Sequence, residues 1–218
     1  MQAEFWHERW KDNLIGFHQQ QVNPYLVEYW DKLGLETGAT VFVPLCGKSS
    51  DMLWLVDQGV KVMGVELSEL AVQQFFDENK LSYETQQQGA FSVWTSSSIR
   101  IYCGDFFQLT QADLADVSCV FDRAALVALP TEMRVRYAQK MNADLPTSAN
   151  ILQVTMEYQQ QYMNGPPFSV TEAEVKQYYA EKYCIENLQS KNILTDNPKF
   201  AQSNMTYLNE VVCLLTRK

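Results

Sequence analysis

Glu66 is the side chain of this sequence whose chemistry is most closely defined by its surroundings. It follows the apolar run 60–65 and stands nineteen residues after Gly47, which lies in the turn 44–49 behind a first apolar run, 41–43. Between them, Ser50 and Asp51 open an amphipathic stretch that stops at Gly59. The pattern is strand, turn, helix, strand, with an acid at the second strand's tip. An acid roughly 20 residues beyond such a turn is where a nucleoside-binding carboxylate falls. One carboxylate accepts hydrogen bonds from two hydroxyls at once, which is what a ribose diol requires. A nucleoside cofactor held between two strand ends is the expectation.

The turn narrows the choice of nucleoside. Gly47-Lys48-Ser49 resembles the end of a phosphate-cradling loop, but the glycine required five positions earlier is Phe42. A GxGxxG pattern is also missing, so a pyrophosphate lacks the close backbone approach it needs. A single glycine flanked by Pro44 and Cys46 suits a cofactor without phosphate, S-adenosylmethionine rather than NAD. Arg123 follows the apolar run 117–121 and Asp122. It either pairs with Asp122 or faces the substrate or a cofactor carboxylate. Asp105, after Gly104, either contacts a base or caps its own turn. Trp6, Trp10, Leu14 and Phe17 step by four, four and three, which lines one helical face. Such a stripe is either core or a lid over a cofactor mouth, where tryptophan faces would stabilise a sulfonium cation.

The elements that position these residues alternate in type. Helices are expected over 4–20 and, capped by Asn23-Pro24 and stopped by Gly34, over 24–33. Ser68 caps a further helix that buries Ala71, Val72, Phe75 and Phe76. Residues 86–89 read as a polar connection, and 91–95 with 99–103 as a hairpin or a short extra strand leading into a main one. A strand at 117–121, a helix at 131–143 and a strand at 151–156 follow. Gly165-Pro166-Pro167-Phe168 is a rigid loop, and Thr171 with Glu174 forms a capping box. Strands at 183–188 and 207–215, joined by 187–204, close the sheet as an antiparallel hairpin. Alternation of this kind predicts a doubly wound α/β sheet, with ligands beyond the carboxyl ends of its strands.

The chain has 218 residues, a net charge of −9 and a pI near 4.7. A single domain is expected, with 1–34 as an N-terminal helical cap and 38–218 as a Rossmann-like core. Acidity argues against nucleic acid and against an anionic membrane surface. The N-terminus is too polar for a signal peptide, and no apolar run is long enough to span a bilayer. Five dispersed cysteines without a CxxC pair imply free thiols in a reducing cytoplasm, and with only two histidines no metal site is expected. The expected partner is a small molecule, and the expected state a monomer.

Six motifs carry a resemblance. They are Trp6-His7-Glu8-Arg9-Trp10, Gly16-Phe17-His18, Val43-Pro44-Leu45-Cys46-Gly47-Lys48-Ser49, Gly64-Val65-Glu66-Leu67-Ser68, the segment from Phe121-Asp122-Arg123 to Leu129, and Gly165-Pro166-Pro167-Phe168. In this order and over nearly the whole chain they resemble the thiopurine S-methyltransferase family, bacterial branch. The resemblance implies a Rossmann-like seven-stranded S-adenosylmethionine-dependent methyltransferase sheet with an antiparallel terminal strand and an N-terminal helical lid. It implies cofactor contacts at Trp10, Leu45, Glu66 and Arg123, with Arg123 also stabilising an anionic acceptor. Phe17 and Pro167, inside two of the motifs, are the expected substrate contacts. The activity implied is methylation of thiopurines or aromatic and heterocyclic thiols, leaving S-adenosylhomocysteine. Methylation of selenium or tellurium compounds is an alternative, so the partner is a thiol or selenol. An NAD-dependent oxidoreductase using the same Glu66 is the other.

Overall fold

In the computed structural model, which describes residues 3–197 and 204–218, the apolar runs of the first half become strands that end where the candidate residues stand. The chain divides into two compact units, Met1–Phe121 and Asp122–Lys218. The first contains β1 (Thr40–Pro44), β2 (Lys61–Glu66), β3 (Glu84–Gln88), β4 (Phe91–Ser96), β5 (Ile99–Cys103) and β6 (Val117–Asp122), whose last residue opens the second unit. They lie in the order β3-β4-β5-β2-β1-β6. The pairs β5–β2, β2–β1 and β1–β6 are parallel, while β3–β4 and β4–β5 are antiparallel. Val41, Phe42, Val62, Val65 and Ile101 are buried, as strands covered on both faces require.

Two expectations in this unit need correction. Of the expected connection 86–89, residues 86–88 belong to edge strand β3 and only Gly89 lies in the turn to β4. All five residues of β3 are exposed, so its backbone pairing to β4, rather than any apolar alternation, makes it a strand. With the hairpin at 91–103 realised as β4 and β5, the described residues hold nine strands instead of seven. The helix expected over 4–20 is also shorter. It is α1 (Ala3–Lys11), ended by Asn13 at φ 53°, a left-handed conformation asparagine tolerates. Leu14 N–H then donates to Arg9 O at 2.8 Å, and the chain turns back. Phe17 thereby meets Trp6 and Trp10 edge-on, 5.6 Å between ring centroids in each case, from outside the helix.

The other helices of this unit begin where their caps predict. Asn23 Oδ1 accepts from Tyr25 N–H at 3.0 Å and starts α2 (Pro24–Glu28), followed by a 3-10 turn that Gly34 ends in the left-handed region. Helix α3 (Asp51–Asp57) links β1 to β2. Ser68 Oγ accepts from Ala71 N–H and starts α4 (Glu69–Glu78).

The second unit has α5 (Ala125–Ala128), α6 (Thr131–Asp144), β7 (Asn150–Tyr158), α7 (Glu172–Tyr179), β8 (Tyr183–Asn192) and β9 (Leu208–Arg217). Thr171 Oγ1 accepts from Glu174 N–H at 3.1 Å, the first half of the expected capping box. β9 pairs antiparallel with both β7 and β8, as the expected closing hairpin does. β8 runs four residues past its expected end, through a register shift between Asn187 and Gln189. The expected connection 187–204 lies partly outside the described residues. Tyr158, Ile193, Met205 and Leu208 form an apolar cluster beside this hairpin. Among the described residues no helix is long and apolar enough to cross a membrane.

Candidate active site

Glu66 is only 6% exposed, and its carboxylate is oriented by backbone alone. Oε2 accepts from Gly47 N–H at 2.9 Å and Oε1 from Ser68 N–H at 2.8 Å. Burial pushes the carboxyl up from its ordinary range, while these backbone donors pull it down. A carboxylate oxygen accepts two hydrogen bonds. Leu67 N–H adds a third backbone donor to the carboxyl, which leaves about one of its four lone-pair sites over.

The turn between β1 and α3 is shaped for close approach. Gly47 is buried at φ 52°, and a Cβ there would come within 3.0 Å of Cζ2 of Trp10. Trp10 is 4% exposed, so it is buried as a core residue would be, yet what it covers is this turn. Leu45, half-buried, adopts φ 48°, a sparsely populated conformation for a branched side chain. Sequence reasoning missed a supporting contact: a Cβ at Gly64 would lie 2.8 Å from Cys46 Sγ, so the glycine of β2 gives this thiol its room. Burial, with the Glu66 charge next in effect, holds the Cys46 thiol well above its usual range. The Cys103 thiol is pushed up to about 12, by burial first.

Several ambiguous residues resolve here. Lys48 Nζ donates to both carboxylate oxygens of Glu78, at 2.7 and 2.9 Å, and is thereby engaged within the protein. Asp105 Oδ1 accepts from Phe107 N–H at 2.9 Å, the capping alternative. Asp51, buried, accepts from Asn23 N–H at 2.6 Å and from Ser49 Oγ at 2.8 Å, so it ties the N-terminal segment to the start of α3. A cleft of about 540 Å³ opens on the residues after Glu66, lined by His7 and Lys11 of α1 with Leu67, Ser68, Cys103 and Gly104. Trp10 and Glu66 are outside its lining. Phe17, 37% exposed, presents its ring beside the Trp6–Trp10 pair.

The structure brings Trp10, Gly47 and Glu66 together in the first unit, with Leu45 in the same turn. Arg123 and Pro167 belong to the second. Asp122 ends β6 fully buried. Its Oδ2 accepts from Tyr137 OH at 2.8 Å and Gln153 Nε2 at 3.4 Å, and its Oδ1 from Leu126 N–H at 3.3 Å. Burial raises this carboxyl too, against those donors. Arg123, half-buried, follows directly. Pro167 lies in a loop with cis bonds at Gly165–Pro166 and Pro166–Pro167, and its carbonyl accepts from Tyr158 OH at 2.6 Å.

The sequence profile of thiopurine S-methyltransferase (TPMT) matches residues 1–218. The chain is 51% identical over 217 residues to the thiopurine S-methyltransferase of Pseudomonas entomophila, across 100% of both chains. The chain belongs to the thiopurine S-methyltransferase family. It is an S-adenosylmethionine-dependent S-methyltransferase, which sets aside the NAD-dependent alternative. Two solved structures share its fold. One is an S-adenosylmethionine-dependent methyltransferase from Anabaena variabilis, with a TM-score of 0.65 and 13% identity over 99% of this chain and 95% of that one. The other is a Burkholderia thailandensis 1,6-didemethyltoxoflavin-N1-methyltransferase with bound S-adenosylhomocysteine, with a TM-score of 0.65 and 15% identity over 98% and 87% of the two chains. The residues present fit the family's cofactor: Glu66 offers a fixed carboxylate, and the Gly47 turn lacks a phosphate cradle.

Proposed function

We propose that this family member methylates a thiol or thiolate on an aromatic heterocycle such as a thiopurine, with Trp10, Leu45, Glu66 and Arg123 as its cofactor contacts. The observation that carries this reading is the Glu66 carboxylate, fixed at the strand tip by backbone N–H donors of the Gly47 turn and of Ser68. S-adenosylmethionine supplies, when bound, an electrophilic methyl group on a sulfonium. The protein's own residues align, desolvate and select. Gly47 and Ser68 N–H groups hold the Glu66 oxygens in place, so no reorganisation is needed when a diol arrives. Trp10 over Gly47 keeps water from the turn. Arg123 favours the deprotonated acceptor, so no strong general base is needed for a thiol that ionises near neutral pH.

Glu66 and Trp10 are both buried, so a cofactor reaches the carboxylate only if α1 lifts. We read α1 and the segment to residue 20 as a lid within the helical cap 1–34, with Phe17 and Pro167 as acceptor contacts. Further parts of the proposal are action as a monomer and single catalytic domain in the cytoplasm, in keeping with five free cysteines.

Methyl transfer from labelled cofactor to a panel of thiopurine, aryl thiol, selenite and tellurite tests the acceptor class. Turnover of the aromatic thiols is expected. Turnover of selenite or tellurite with none of the thiols overturns it. Arg123→Ala should move the pH–rate profile to higher pH and cost most with an acceptor near its pKa, and Arg123→Lys should recover part of the loss. An unmoved profile with equal losses for every acceptor assigns Arg123 to the cofactor alone.

A further inference from the structure

Arg134, on α6, is 5% exposed, an unusual place for a guanidinium. Its three nitrogens reach three separate partners. Nε donates to Glu174 Oε1 on α7 at 2.7 Å, Nη1 to Leu129 O at 3.0 Å, and Nη2 to Thr131 Oγ1 at 3.2 Å. Its Cζ also lies 5.9 Å from the centroid of the Phe168 ring. Leu129 closes the segment that begins with Arg123, and Phe168 closes the Gly165–Phe168 loop. These two segments are also joined directly, since Phe168 N–H donates to Val127 O at 2.6 Å. The ring in turn fixes the loop: a Cβ on Gly165 would lie 2.5 Å from it. Tyr178 OH donates to Glu174 Oε1 at 2.6 Å and steadies the carboxylate that holds Arg134.

A buried ion pair is a poor way to add stability, because apolar residues of similar volume fill such a space at least as well. What it adds is register, since a forked cation with partners in several directions fixes their relative positions. We propose that Arg134 is a positioning residue for the methyl acceptor: it clamps the Gly165–Phe168 loop to the segment carrying Arg123, so that Pro167 and Arg123 are held in one frame. The inference rests on the reading above that these two residues contact the acceptor.

The test compares the parent with Arg134→Lys, Phe168→Leu and the double variant in steady-state assays on an aromatic thiol, alongside calorimetric titration with S-adenosylhomocysteine. Arg134→Lys keeps the charge and loses the fork. It should raise the acceptor KM about tenfold, the scale of one charge-assisted hydrogen bond, and weaken S-adenosylhomocysteine binding less, by about threefold, since Arg123 is only one of four cofactor contacts. The double variant should lose less than the product of the single losses, because both act on one clamp. A lowered melting temperature with an unchanged acceptor KM makes Arg134 purely structural and overturns the inference. Should Arg134→Lys fail to fold, Phe168→Leu and Glu174→Gln decide between the same two outcomes through the same KM-against-affinity split. A parent that methylates no thiol removes the acceptor reading itself, whereas an active parent with unmoved KM values removes only the role of Arg134.

Discussion

Glu66 and Asp122 are two answers to the same physical problem. Each is a buried carboxylate at the last position of a parallel strand, β2 and β6, and burial raises both above the ordinary carboxylate range. Their partners differ. Glu66 is held by backbone N–H groups alone, those of Gly47 and Ser68 on separate oxygens with Leu67 beside them. Asp122 has Tyr137 and Gln153 side chains sharing one oxygen and backbone N–H donors, Leu126 among them, on the helix that follows. The first is fixed by backbone alone, and the second is tied to side chains packed in its unit. A strand-tip acid is therefore not a site by virtue of position, since its partners differ with its surroundings.

The largest effect expected from this contrast is on stability. Asp122→Ala removes the buried acceptor shared by the Tyr137 hydroxyl, the Gln153 amide and Leu126 N–H and should cost about 3 kcal/mol, since a lost buried hydrogen-bond partner costs roughly 1–3 kcal/mol. Glu66→Gln should cost less, about 1–2 kcal/mol, as one amide N–H₂ is turned toward a backbone N–H. Urea titration of both variants checks the order, and a Glu66→Gln loss larger than that of Asp122→Ala breaks the comparison.

A second effect is in pH dependence. The folded pKa of Glu66 is raised, so between its unfolded and folded values the native state carries the extra proton and stability falls as pH rises. A diol donating to the carboxylate favours the ionised form. S-adenosylhomocysteine binding should therefore release a proton in that window, with affinity full above the raised pKa and declining as pH is lowered through it. The neighbouring Cys46 and Cys103 thiols, both pushed upward, stay neutral there. Calorimetry in two buffers of different ionisation heat reads the release. It should persist in Asp122→Asn and vanish in Glu66→Gln, and release unaffected by Glu66→Gln would assign it elsewhere.

The smallest effect concerns Leu45. Its left-handed backbone stores strain of about 1 kcal/mol. Leu45→Gly should leave the melting temperature equal or slightly higher while weakening S-adenosylhomocysteine binding a few-fold. A marked fall in melting temperature would make Leu45 a packing residue.

The placement of Glu66 was legible in the sequence, because strand, turn, helix and strand bring it beside Gly47 by connectivity alone. The other features depend on tertiary contacts. β3 has no apolar face, so its Gln-rich sequence reads as a loop until β4 pairs with it. Phe17 continues the tryptophan stripe at helical spacing, yet it reaches Trp6 and Trp10 because the chain folds back after Asn13. Arg134 sits in a helix rich in charged and polar residues, and nothing in that pattern marks it as buried against Phe168.

The claim that the Glu66 carboxylate receives the ribose diol is tested most directly by a thermodynamic cycle. The parent and Glu66→Gln are titrated with S-adenosylhomocysteine and with its 2′-deoxy analogue. Removing the hydroxyl should weaken binding to the parent about tenfold, the scale of one hydrogen bond to a charged group, and weaken binding to Glu66→Gln far less. An equal loss in both proteins would show that the hydroxyl does not meet Glu66, and would contradict the account.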